Sequence, residues 1–154
     1  MIRVLINYII LGVILKCEGI FLMPRHELGI IENIDIDELI RKFKNNKLNL
    51  KDKIITYRLF HECKPSKYDC ISVDEFIMEK IRNLDFKSYA FNFLENNGFD
   101  YYYITIIPPT SLLIIIEKLN DLEMDKTWQD EINMLKNKLS EAYKNDKYII
   151  HYGI

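Results

Sequence analysis

The chain has 154 residues, a length that suits one ordinary domain able to bury most of its apolar surface in a single core. Hydrophobic residues make up 49% of it, which argues against disorder, and a formal net charge of −2 excludes a strongly basic nucleic-acid binder. The charge is uneven: residues 1–70 carry 12 Lys/Arg and 9 Asp/Glu, a balance of +3, whereas residues 71–154 carry 9 and 14, a balance of −5.

The N-terminus opens like a secretory signal, with Met1-Ile2-Arg3 ahead of an apolar run from Val4 to Leu15. Lys16-Cys17-Glu18 stands where a small-residue cleavage site belongs. The run is interrupted by Asn7 and is shorter than the roughly 20 residues that span a bilayer. Residues 1–22 are therefore expected as a buried strand or short helix of the core, with β-branching in favour of strand. Pro24 to Asn33 reads as a connection with room for a short strand.

Helical signals follow. Asp35 or Asp37 caps a helix whose inner face is Ile36, Leu39, Ile40 and Phe43, ended by Asn45-Asn46. A second helix is predicted over about Lys51 to Glu62, with Ile54, Ile55, Leu59 and Phe60 inward, broken by Pro65. Ser72 with Glu75 has capping-box spacing and introduces a helix facing Phe76, Ile77, Ile81 and Leu84 inward. A further helix is predicted over Phe86 to Asn97, with the stripe Tyr89, Ala90, Phe93 and Leu94, and Gly98 as its left-handed C-cap.

The last third reads strand, helix, helix, strand. Phe99 to Ile107 is dense in Tyr and Ile and is stopped by Pro108-Pro109. The next helix carries Leu112, Leu113, Ile116 and Leu119. Thr127 and Asp130 pair as a cap for a helix with the stripe Trp128, Ile132, Leu135, Leu139 and either Ala142 or Tyr143, and Tyr148 to Tyr152 closes the chain as a strand. The sum is an α+β fold: a mostly helical single domain over residues 1–154, with a small sheet that includes the C-terminal strands.

No catalytic constellation emerges. His61-x-Cys63 with Cys70 offers three zinc ligands where a closed site needs four, so no metal is expected. The odd count of Cys17, Cys63 and Cys70, without framework spacing, fits a reduced cytoplasmic setting. GxGxxG, GxxxxGK[ST] and GxSxG are absent and Gly numbers only 5, so neither a phosphate-cradling loop nor a cofactor is expected. His151, between Ile150 and Tyr152, reads as a side chain on a solvated sheet face.

The densest acidic stretch runs from Glu117 to Glu131, with Asp121, Glu123, Asp125 and Asp130 between them, against Lys118 and Lys126. Such a run either forms a solvated helical corner or steers a basic partner. Tyr101, Tyr102 and Tyr103 are consecutive, so a strand would divide them between two faces and leave at least one ring for solvent or an interface.

The segment Tyr103-Ile104-Thr105-Ile106-Ile107-Pro108-Pro109-Thr110-Ser111, the Trp128 helix and the ending Tyr148-Ile149-Ile150-His151-Tyr152-Gly153-Ile154 together resemble the bacterial immunity proteins of contact-dependent and other polymorphic toxin systems. The resemblance covers the last third and is one of size, acidity and element order. It implies a cytoplasmic, non-catalytic protein that binds a cognate toxin C-terminal domain, often a nuclease, with no direct nucleic-acid or membrane contact. On that reading, charge clustering selects Asp121, Glu123, Asp125, Asp130 and Glu131 as partner-binding residues, with Tyr102 as aromatic anchor. A non-catalytic interaction module without a toxin, or an enzyme of unrecognised type, are the alternatives.

Overall fold

The structure, a computed structural model, describes residues 25–32, 34–62, 68–90 and 93–153. The expected core role of residues 1–22 lies outside them, as do Cys17 and Cys63. In chain order they form β1 (Arg25–Ile31), α1 (Ile36–Lys44), α2 (Leu50–Tyr57) with a π-helical turn at Arg58–Glu62, β2 (Ile71–Asp74) and α3 (Glu75–Ile81). Then come β3 (Lys87–Tyr89), β4 (Glu95–Asn97), β5 (Ile104–Ile107), α4 (Pro109–Asn120), α5 (Lys126–Lys144) and β6 (Tyr148–Tyr152). This is the α+β class expected from the sequence. The sheet is larger than expected, because the presumed connection at Pro24–Asn33 supplies the full strand β1.

Local chemistry explains the helix starts. The Asp35 carboxylate accepts the Glu38 N–H at 2.7 Å, and Ile36, Leu39 and Ile40 turn inward from α1. At α2 Asn49 and Asp52 form a reciprocal capping box, 2.9 and 3.1 Å. The wider turn after Tyr57 rolls Leu59 and Phe60 into the core, while Ile54, expected inward, is exposed. At α3 the cap is Asp74, whose carboxylate accepts the Phe76 N–H at 2.8 Å. Ser72, the expected cap, lies within β2. α4 starts at Pro109 and buries Leu112, Ile115 and Leu119, so its inner face is rotated from the predicted one and Leu113 is exposed. α5 buries Ile132, Leu135, Leu139 and Ala142 as its stripe requires, although it begins after Asp125 rather than at Thr127.

The helix predicted over Phe86–Asn97 is instead the hairpin β3–β4. Phe86 packs among residues on one face of the sheet and Phe93 among those on the other, a division that one helical stripe cannot make. Phe93 adopts φ 56° in the connection, and the Ala90 N–H donates to the Leu94 carbonyl at 2.9 Å. Gly98 does take the left-handed φ expected of it, 75°, but at the end of a strand, where its N–H reaches the Phe86 carbonyl at 2.7 Å.

The sheet runs β2-β1-β6-β5-β3-β4, antiparallel at every pairing. Strand alternation divides its centre between two cores. Leu28, Ile30, Ile107 and Ile149 meet α3, α4 and α5, while Ile31, Ile106 and Ile150 meet α1 and the turn after α2. On the second face the chain crosses β1 at Gly29. A Cβ there would stand 2.6 Å from Cys70 Sγ and 2.8 Å from the Tyr68 carbonyl oxygen. Gly29→Ala should therefore destabilise the fold by about 1–3 kcal/mol through overpacking, read as a lower denaturant midpoint. An unchanged midpoint would show that the 68–70 segment yields freely.

Candidate protein-binding surface

The acidic residues selected from the sequence fall into two structural groups. α4 ends at Asn120 and α5 begins at Lys126, so Asp121, Glu123 and Asp125 occupy the corner between them, with Asp130 in the second turn of α5. All four are exposed, and none makes an ion pair with another described residue. Asp125 holds the N-cap position of α5, yet its carboxylate makes no capping hydrogen bond. These carboxylates point at solvent without internal duties.

Glu131 is the exception. Its side chain is only 15% exposed and accepts hydrogen bonds from Arg25 Nη2 and from the Asp74 N–H, the latter at 2.7 Å. Arg25 also donates to Ser72 Oγ at 2.8 Å and to the Ser72 carbonyl at 2.9 Å, and it lies 3.8 Å from the Asp74 carboxylate. Glu131 thus ties α5 to the edge strand β2. Its place in the sequence run gave no sign of this, since Arg25 is 106 residues away.

Beside the corner lies a hollow of about 460 Å3, lined by Phe76, Lys80, Glu123, Met124, Asp125 and Trp128. The Phe76 and Trp128 rings, 5.5 Å apart and tilted by 36°, form its aromatic wall. Sequence periodicity had assigned Phe76 to the core. It is half-buried and sits at the margin because Ile77, Met78 and Ile81 take the inner face of α3.

Tyr102 lies in the segment ahead of β5. The expected strand Phe99–Ile107 is extended only from Ile104, and residues 101–103 bend outward. The bend is held by Thr105 Oγ1, which accepts the Asp100 N–H at 2.8 Å. Tyr101 turns inward and donates its hydroxyl to Glu75 at 3.1 Å; burial, followed by the Glu75 carboxylate, pushes its pKa up. Tyr102 is 72% exposed and meets Tyr101 edge-on. Glu75 and Phe76 are neighbours in α3, so Tyr101 and the hollow meet the same helical turn.

The largest departure from expectation is His151. Expected on a solvated face, it is fully buried, because α3, α4 and α5 cover the side of the sheet to which alternation sends it. Its Nε2 lies 2.8 Å from Nδ1 of His26, also fully buried, and the stacked rings are 5.0 Å apart. Phe99 meets His151 edge-on, and Tyr101 meets His26 in the same way. The other two ring nitrogens, His26 Nε2 and His151 Nδ1, have no hydrogen-bond partner among the described residues. One proton serves the contact, so both rings are neutral and one donor and one acceptor stay unsatisfied. Desolvation lowers the His26 pKa to about 4, against an opposing pull from Asp74, and lowers that of His151 to about 3 with the help of His26. No sequence signal linked these residues, which are 125 positions apart.

Among the described residues, no three His, Cys, Asp or Glu side chains gather as a metal ion would need, and no helix is long and apolar enough to cross a membrane. No protein family, curated protein or solved structure matches the chain.

The histidine pair carries a pH prediction. Both folded pKa values lie below the unfolded value near 6.5, so the unfolded chain binds more protons as pH falls beneath that value. Stability is full above pH 6.5 and should fall by a few kcal/mol toward pH 4, at up to about 1.4 kcal/mol per unit for each imidazole. Denaturant midpoints measured from pH 7.5 to 4.5 should show this. His26→Leu/His151→Leu, which removes both partners, should flatten the profile, whereas an equally steep profile in that variant would assign the acid sensitivity elsewhere.

Proposed function

We propose that this chain is a cytoplasmic immunity protein that binds a cognate bacterial toxin domain and neutralises it by covering its active site or an adjacent surface. The observation that carries the proposal is the division among the acids of the α4–α5 corner. Asp121, Glu123, Asp125 and Asp130 are exposed without an ion pair to another described residue, next to an aromatic hollow, whereas Glu131 serves the fold. Like carboxylates held close on one surface repel each other, and a basic partner relieves that repulsion on docking. A nuclease surface that binds phosphates is basic and offers such a match. Tyr102, with Tyr103 also exposed, adds rigid aromatic area. The chain acts as an inhibitor by contact and performs no chemistry of its own.

The test is co-purification of the tagged chain from its native locus, with growth protection assayed beside it. One toxin domain should be recovered, released by raised salt because the docking charges are exposed. Reversal of Asp121, Glu123, Asp125 and Asp130 to Lys should abolish both capture and protection while the thermal midpoint stays within a few degrees. Glu131→Ala should instead lower stability by about 1–3 kcal/mol, since the Asp74 N–H and Arg25 lose their acceptor. Capture that survives the fourfold reversal would remove the acidic corner from the interface.

A further inference from the structure

We infer that the hollow between α3 and the α4–α5 corner is a socket for one basic side chain, an arginine or lysine presented by a partner protein, and that Lys80 stands against its Phe76 wall in the unbound chain. The inference rests on the immunity reading only for the kind of partner; the socket itself is argued from its lining.

The lining selects for a cation. Its wall is the face of Phe76 beside Trp128, and a ring face attracts positive charge through its quadrupole. Its rim holds Glu123 and Asp125, both exposed and without an ion pair to a described residue. Asp125 stands where a helix cap belongs but leaves its carboxylate unused by α5, so binding at that carboxylate breaks no capping bond. An anion would meet two carboxylates. An apolar side chain would desolvate them without a partner, which is costly. The positive end of α5 opposes a cation, but its roughly half a charge is outweighed by two full negative ones.

A cation already stands against the Phe76 wall. Lys80 Nζ lies 4.6 Å from the centre of the Phe76 ring. Lys80 has no carboxylate within ion-pair distance among the described residues. With one ammonium against two carboxylates, the lining keeps a net charge of −1. Lys80 is exposed and hangs from the outer face of α3, so an incoming guanidinium displaces it without disturbing the core. Arginine suits the place better than lysine, because a planar guanidinium stacks on an aromatic ring and offers several donors to the two carboxylates at once.

Trp128 is the only tryptophan of the chain and reports directly on the hollow. The experiment is a fluorescence titration of the full chain with a hexa-arginine peptide, against hexaglutamate and NaCl at matched ionic strength. A saturable change of Trp128 emission with hexa-arginine alone is expected. Glu123→Gln/Asp125→Asn should weaken it at least about fivefold, and Lys80→Ala should tighten it about two- to fivefold by vacating the ring. A response that NaCl reproduces, that the double variant retains, or that Lys80→Ala weakens would overturn the inference. The titration contains no toxin, so its failure is separable from that of the immunity reading: a chain that protects against its toxin but shows no hexa-arginine response at Trp128 loses the socket alone.

Discussion

The pairing of β6 with β1 on one side and β5 on the other is the interaction on which the rest of the structure depends. The last strand of the chain enters the middle of the sheet, so its N–H and C=O groups are satisfied from both flanks. Its register sets Leu28 and Thr105 on either side of His151, and Gly29 and Ile106 on either side of Ile150. These two rows belong to opposite cores. A slip of one residue would exchange them and bring Tyr148, Ile150 and Tyr152 against α3–α5. α1 and α2 on one face, and α3, α4 and α5 on the other, are packed against this strand order, so every surface feature inherits its position from the sheet.

Charge is distributed in keeping with that frame. Where acids meet the scaffold they are matched: Glu131 and Asp74 share Arg25, and Lys42 bridges Glu38 and Asp52 to join α1 to α2. The hydrogen bond to Glu38, with Asp52 after it, pushes the Lys42 pKa up, and backbone capping at Asn49 followed by the Lys42 contact holds Asp52 below the usual carboxylate range. At the α4–α5 corner Asp121, Glu123, Asp125 and Asp130 have no such partners among the described residues. That contrast between used and unused carboxylates is what makes the corner a binding surface in our reading.

The buried histidines belong to the scaffold by burial and by register, not to the surface. A hydrogen-bonded imidazole pair in an apolar core satisfies half of its own polarity, and the aromatic edges of Phe99 and Tyr101 close around it. The same packing that excludes water from the pair keeps both rings neutral, which makes the centre of the sheet the acid-sensitive part of the molecule.

Several elements were legible in the sequence because the information is local. The cap at Asp35, the stripe Ile132–Leu135–Leu139–Ala142 of α5, the Pro-initiated start of α4 and the closing strand all follow from residues within a turn or two of one another. The segment 86–97 misled because Tyr89, Ala90, Phe93 and Leu94 recur at helical spacing; Tyr89 and Phe93 do share one core, but a hairpin brings them there and leaves Leu94 exposed. β1 was underestimated because a strand covered on both faces, with Gly29 at its centre, shows no alternation of apolar and polar residues.

The sequence by itself determined the α+β class, the identity of most helices, the acidity of the α4–α5 corner and the exposure of a tyrosine before β5, since each depends on composition or short-range periodicity. Only the tertiary structure decided that Glu131 serves the fold, that Phe76 and Trp128 share a hollow, and that His26 and His151 meet in the core. Those facts depend on contacts between residues far apart in the chain, which strand order and register create and no local pattern encodes.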